Sequence, residues 1–250
     1  LSAMGRLPAG RSMLPPVNPP SSSRSGRPTH PSPAWLAMYA SPLSRWAFAV
    51  LRPIVRLLRA AGVTEEIIHA QVTRAFALHG LDYGFAGHLT VRDPERPHLY
   101  WTNPMAVHFS QVKTSNLILA DHKGRVVQGE YALNRAGFVL HAAVHEHHPD
   151  IVAMCHAHTV YGGAYAALGR PLPPVTQDAA CFFEDHVVIA DEGGKVAVEV
   201  DAGHKVALAF KGVKAAIHQN HGLITASRHS IEAAAFWFIA LERCCRQQLM

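Results

Sequence analysis

The chain has 250 residues, yet no aspartate or glutamate appears before Glu65. Eight arginines fall in that stretch: Arg6, Arg11, Arg24, Arg27, Arg45, Arg52, Arg56 and Arg59. Removing those eight from 23 Lys+Arg leaves 15 against 18 Asp+Glu, a net of −3. The formal charge of +5 therefore belongs to the first quarter and not to the rest. A basic body that tracks phosphates is missing, so nucleic-acid binding is not expected. Cysteine is scarce: Cys155, Cys181, Cys244 and Cys245, with no CxxC pair. That spacing gives no disulfide framework and predicts reduced, mostly buried thiols in an intracellular, cytoplasmic protein. Long apolar runs are also lacking. The best stretch, 46–61, is interrupted by Arg52, Pro53, Arg56 and Arg59. It falls short of the roughly 18 uncharged residues of a membrane span, so none is expected.

What is present divides the chain in three. Residues 1–34 are rich in Pro, Ser, Gly and Arg and poor in large apolar side chains, which predicts a disordered leader. Residues 35–63 read as a cationic helical extension. An acid-free, Arg- and Ser-rich start also matches an organellar targeting segment in composition. Residues 64–250 form the expected single α/β domain. Thr64, Glu65 and Glu66 open a helix that Gly80 ends. Strands are expected over 84–91 and 98–103, and a short hairpin over 117–127. A helix follows over 134–148, a buried strand over 151–158, and a helix capped by Thr159. A strand is expected over 181–190, a helix over 200–211, a strand over 215–219, and a long apolar helix from Ser230 onward.

The chemistry concentrates at the end of the 151–158 strand, in Cys155-His156-Ala157-His158. Residues i and i+2 of a strand share a face, so His156 and His158 project side by side. Two neutral imidazoles suit a divalent metal such as zinc, iron or manganese. Gln219-Asn220-His221-Gly222 follows another predicted strand, and a turn at Gly222 would let His221 join the pair. Three protein ligands with an open position is the pattern of a catalytic metal; a closed set of four is structural. The cluster His145, His147 and His148 sits at a predicted helix end, where histidine complements the helix dipole.

His156-Ala157-His158, Gln219-Asn220-His221-Gly222-Leu223, and Leu140-His141-Ala142-Ala143 with Pro149-Asp150 resemble the class II aldolase/adducin family. Gly87-His88-Leu89-Thr90-Val91-Arg92 resembles that family's early glycine-loop strand. The resemblance runs from about Thr64 to the C-terminus. It implies a three-layer α/β/α fold, a ring-shaped homotetramer with sites at subunit interfaces, and one divalent metal on His156, His158 and His221. It implies Lewis-acid chemistry on a small-molecule substrate: the metal offsets charge that develops on oxygen as a carbon–carbon bond breaks.

The sequence departs from the aldolase pattern in two places. The acid expected four residues before His141 is Gly137. Candidates to move protons instead are Glu184, Tyr161 and His186, with Asp185 and Glu130 behind them. The phosphate cradle is altered as well: His88 replaces an Asn, and Arg135-Ala136 replaces a Ser-Ser pair. His88, Asn103 and Arg135 are the candidate substrate contacts. The substrate is therefore expected to be a small hydroxy-carbonyl or hydroxy-acid compound and not a simple sugar phosphate. Three activities fit: a metal-dependent lyase of aldolase or decarboxylase type, an iron(II) oxygenase or oxidative decarboxylase in the same pocket, and a non-catalytic adducin-like module.

Overall fold

A computed structural model describes Leu57 and residues 60–84, 86–190 and 200–250, with side chains from 203 in the last segment. The expected leader over 1–34 lies outside the described residues. So does most of the 35–63 extension, of which Leu57 and Ala60 are helical.

The first full helix is α1 (Glu65–Leu78), with Thr64 at its N-cap position and Glu65 and Glu66 in its first turn. Strands β1 (His88–Arg92), β2 (Leu99–Thr102), β3 (Ile118–Asp121) and β4 (Val126–Gln128) form a meander. Helix α2 (Arg135–His147) follows, and the Asn134 side chain accepts the Gly137 N–H at its start. Then come β5 (Ala153–Ala157), α3 (Val160–Ala166), α4 (Gln177–Ala180) and β6 (His186–Ile189). The chain ends with α5 (Val200–Ala209), β7 (Ala215–His218), β8 (Gly222–Ser227) and α6 (Ile231–Leu249).

The strands make one mixed eight-stranded sheet among the described residues, ordered β4-β3-β2-β1-β5-β8-β7-β6. Only β6 and β7 pair in parallel. The alternation of each strand assigns its side chains to two cores. Leu89, Val91, Cys155, Leu223 and Ile217 point to one side, where Phe76 of α1 and Trp237, Phe238 and Leu241 of α6 cover them. Met154, Ile224, Ala226 and Ala216 point to the other, beneath Leu140 and Val144 of α2 and Val206 and Phe210 of α5. The architecture is the expected single-domain α/β/α sandwich.

Three local expectations change. The segment Cys181–Asp185 is a turn, and the strand begins only at His186. The Thr159 side chain does not cap α3. Its hydroxyl donates to Glu242 of α6, and the same carboxylate accepts the backbone N–H groups of Tyr161 (3.1 Å) and Gly162 (2.7 Å). A buried carboxylate thus caps the helix that follows His158, where the helix dipole favours negative charge. Finally, β8 was not anticipated, although it lies between β5 and β7 at the heart of the sheet.

Candidate metal centre

His156 is the penultimate residue of β5 and His158 lies just past the strand's end, so the alternation aims both toward the α2 side. The third imidazole arrives by a hairpin. Strands β7 and β8 are joined by a tight turn in which the His221 N–H donates to the His218 carbonyl. Asn220 adopts φ +59°, a left-handed conformation that asparagine tolerates better than most residues. The turn returns the chain beside β5, where His156 pairs with Ile224 and Ala157 with Leu223.

These two strand ends bring the three histidines together. One nitrogen from each of His156, His158 and His221 lies within 4.8 Å of the others. The three ring centroids are 4.8–4.9 Å apart, with the rings nearly perpendicular. His156 is buried, His158 exposed and His221 intermediate, so the group opens to one side. His156 Nδ1 donates to the Leu223 carbonyl at 2.8 Å. That hydrogen bond fixes the tautomer and leaves Nε2 as a bare lone pair, as a metal-bound imidazole requires. Burial holds His156 well below the usual histidine range, helped by the neighbouring imidazoles, and lowers His158 too. His156, neutral and of fixed tautomer, with the imidazoles of His158 and His221 beside it, fits a divalent cation.

The other candidates divide. His88 opens β1 and pairs across the strands with His156, placing both on one face. Its ring centroid is 5.2 Å from that of His156 and 4.1 Å from that of His141. Gly87 makes this approach possible. It sits at φ +113°, and a β-carbon there would lie 3.1 Å from the His156 carbonyl oxygen. Burial pushes His88 down to about 3, with His221 and His158 adding to the shift. The Gly137 backbone lies close enough to oppose that shift slightly, without a hydrogen bond of acceptable geometry. His88 Nδ1 and Nε2 and His141 Nε2 are buried with no hydrogen-bond partner among the described residues. Each such atom costs about 1–3 kcal/mol if left unsatisfied.

Asn103 serves His88 indirectly. Its Oδ1 accepts the Leu89 N–H at 2.9 Å and its Nδ2 donates to the Gly87 carbonyl at 3.5 Å, so its amide is spent holding the turn around His88. Arg135 is exposed on the first turn of α2, two residues before Gly137. Tyr161 turns to α6, where Arg246 lies 5.3 Å over its ring. Glu184 and His186 are not brought to the histidines. In the parallel β6–β7 pair, Ile189 is level with His218, whereas His186 is level with Ala215, three residues away. Glu184 is exposed and lies further back in the preceding turn. Both His186 nitrogens are engaged: Nδ1 with the Phe182 carbonyl at 2.6 Å and Nε2 with the Leu172 N–H at 2.8 Å.

Sequence reasoning missed His218, whose ring centroid is 4.9 Å from that of His221; their spacing of three residues across a turn was the available signal. It also missed a buried chain behind His88. Thr90 Oγ1 lies 2.9 Å from both His141 Nδ1 and His145 Nε2, and His145 Nδ1 lies 3.2 Å from the Ile151 carbonyl. Burial lowers the pKa of all three histidines, that of His145 to about 3.

Comparison with known proteins places these features in context. Residues 68–249 match the profile described as Class II Aldolase and Adducin N-terminal domain. The chain is 45% identical over 184 residues to "Decarboxylase NovR" of Streptomyces niveus, covering 73% of this chain and 67% of that protein. It is equally 45% identical over 184 residues to "4-hydroxy-3-prenylphenylpyruvate oxygenase/4-hydroxy-3-prenylbenzoate synthase" of Streptomyces roseochromogenus subsp. oscitans, covering 73% of this chain and 66% of that one. The match thus spans about two thirds of either relative's length. Among solved structures, the L-fuculose 1-phosphate aldolase from Glaciozyma antarctica PI12 superposes with a TM-score of 0.68 at 39% identity, over 74% of this chain and 72% of that one. An aldolase II superfamily protein from Pseudomonas syringae gives 0.70 at 27% identity, over 74% of each chain.

Proposed function

Since the chain belongs to the class II aldolase and adducin family, we propose that it is a divalent-metal enzyme that cleaves a carbon–carbon bond in a small hydroxy-carbonyl or hydroxy-acid substrate. The observation that carries this reading is the group His156, His158 and His221, with one ligand nitrogen from each within 4.8 Å of the others. These three would hold the metal; zinc, iron and manganese all accept such a donor set. When bound, the ion supplies Lewis-acid stabilisation of negative charge developing on a substrate oxygen.

The chain's own residues account for the rest. The Leu223 carbonyl orients His156. Asn103 holds the turn that presents His88, and His88 faces the same side of the sheet as His156. Arg135, exposed on the first turn of α2, is the candidate in this reading to receive a carboxylate by a two-pronged contact. Tyr161 stands three residues after His158 at the start of α3, but its ring packs toward α6, on the other side of the sheet from the three histidines, so no proton-transfer role is proposed for it. The substitution of Gly137 for an acid and the histidine at position 88 argue against a simple sugar phosphate. A homotetramer belongs to the same reading, and its mass in solution checks it.

A second reading is favoured by one specific finding: a 45%-identical relative is named an oxygenase. In that reading the three histidines hold iron(II), and the reaction is an oxidative decarboxylation. One experiment tests both. The freshly purified protein is analysed for metal, then screened against hydroxy acids and hydroxy ketones with and without dioxygen. About one metal per chain and oxygen-independent cleavage support the lyase. Iron with strict oxygen dependence supports the oxygenase. Absence of stoichiometric metal, before and after reconstitution, overturns both and leaves a non-catalytic, adducin-like role.

A further inference from the structure

Three histidines close helix α2, and the fold uses two of them internally. His145 is buried and engaged by Thr90 and the Ile151 carbonyl. His148 Nε2 donates to the Ala207 carbonyl of α5 at 2.7 Å. The third, His147, is exposed, and its ring meets an exposed histidine 57 residues away, His204 of α5.

The Ala143 carbonyl, 3.0 Å from His147 Nδ1, only accepts, so Nδ1 carries the proton of the neutral ring. His147 Nε2 is therefore a lone pair. A backbone carbonyl holding the far nitrogen is the usual support of a metal-bound imidazole. His204 Nδ1 lies 3.2 Å from that lone pair. Two nitrogens bound to one tetrahedral zinc at 2.0–2.1 Å stand about 3.3 Å apart, so the observed separation nearly matches a shared ion. The ring centroids are 4.8 Å apart at 76°. The pairs within the three-histidine group have almost the same arrangement, 4.8–4.9 Å at 74–82°.

The backbone beneath the pair is held closely. A β-carbon on Gly203 would lie 2.8 Å from Cβ of Ala143 and 3.2 Å from the Val139 carbonyl oxygen. The glycine beside His204 thus lets α5 approach α2 at the residue whose carbonyl orients His147. The pair also stands at the C-terminal end of α2, where the helix dipole favours a cation.

We propose that His147 and His204 form a second metal site, which takes a divalent transition cation of the zinc, nickel or copper class and clips α5 to α2. Water completes the coordination on the exposed side. The site is separate from the three-histidine group: His147 is ten residues along α2 from Gly137, about 15 Å. It does not depend on the proposed activity. Without the ion, His204 Nδ1 donates to His147 Nε2. With it, the His204 proton sits on Nε2 toward solvent and both facing nitrogens bind the ion, so no net proton is gained or lost.

Zinc binding to the full chain, followed by equilibrium dialysis and elemental analysis over micromolar concentrations, tests the site. Both side chains are exposed, so either can be truncated without opening the core. The unaltered chain should hold one zinc more than His147→Ala or His204→Ala. Each truncation should weaken that second ion about a hundredfold, the order expected when one of two linked contacts is lost. Long-range proton–nitrogen NMR of 15N-histidine-labelled protein gives an independent readout, with His204→Ala assigning the peak. Added zinc should convert His204 from the Nδ1–H to the Nε2–H form. Equal zinc counts in all three proteins, or an Nδ1–H form of His204 that persists at saturating zinc, would reduce the pair to a hydrogen bond and overturn the site. Loss of the three-histidine ion would lower all three counts alike and leave their difference intact, so the two metal readings fail separately.

Discussion

The imidazole of His88 fills the space that a side chain at Gly137 would need: a β-carbon on Gly137 would lie 2.4 Å from both Cε1 and Nδ1 of that ring. The two positions are 49 residues apart, on β1 and α2, yet Gly137 cannot gain a side chain while the His88 ring stays in place. In an open helix, Gly→Ala stabilises by about 1 kcal/mol. Here overpacking outweighs that gain, because His88 is buried and cannot swing into solvent. Gly137→Ala should therefore cost about 1–3 kcal/mol. In a His88→Ala background the sign should reverse and the helical gain return. Urea unfolding of the two single variants and the double variant measures this. Additive effects would show that the ring and the glycine do not share the space.

The three-histidine group makes a simpler prediction. His156→Ala should reduce metal from about one ion per chain to near none, because the buried, oriented ligand is lost. His158→Ala removes a more exposed ligand and should weaken binding with less effect on stability. Elemental analysis after desalting, with thermal unfolding as control, decides it. Full metal occupancy in His156→Ala would place the ion elsewhere.

Much of this was legible in the sequence, for reasons that particular residues make plain. The alternation through His156 and His158 fixes them on one face without tertiary information, and Asn220-His221-Gly222 announces a turn. Helix α1 starts after Thr64 and stops before Gly80 as expected, with Gly80 at φ +66°, but the Thr64 side chain makes no capping hydrogen bond. Strand β8, at six residues the longest of the described strands, was missed because it opens on the turn glycine Gly222 and ends in small polar residues, though Thr225 and Ser227 are buried and Thr225 donates to the Ala234 carbonyl. Glu184 and His186 were drawn into the candidate site by residue type alone; the register of β6 against β7 carries His186 away from the metal-facing end. The Thr90 hydroxyl meets histidines 51 and 55 positions away, and no local pattern encodes that meeting.

Glu242 shows the same limit from the other side. It is the buried acid of an otherwise apolar helix face, and its role appears only when α3 is seen to start against it. Glu242→Ala would leave the Thr159 hydroxyl and the N–H groups of Tyr161 and Gly162 without their acceptor. A loss of about 2–3 kcal/mol is expected. Glu242→Gln retains one acceptor oxygen and should cost less. The α3 amides should exchange faster in Glu242→Ala than in the unaltered chain. Unchanged exchange there would show that Glu242 does not anchor the segment after His158.

Acid should destabilise the fold through its buried histidines, and the sign follows from their depressed pKa values. Burial lowers His69 to about 4, against hydrogen bonding to the Leu89 carbonyl, which favours the protonated ring. Burial is also the main cause that brings His145 to about 3. The unfolded chain takes up these protons near pH 6.5, the ordinary histidine value, while the folded chain does not. Stability is thus full above that pH and falls as pH drops toward the folded values of about 4 and 3. Each such histidine contributes a slope of up to about 1.4 kcal/mol per pH unit within its window. His69 is the cleaner probe, because it lies under β1 on the side away from the three-histidine group. His69→Gln lowers the absolute stability by removing the bond to Leu89, but it should also flatten the dependence of unfolding free energy on pH by up to that amount between about pH 6 and pH 4.5. A variant that is merely weaker, with the slope unchanged, would show that His69 is not held neutral in the fold.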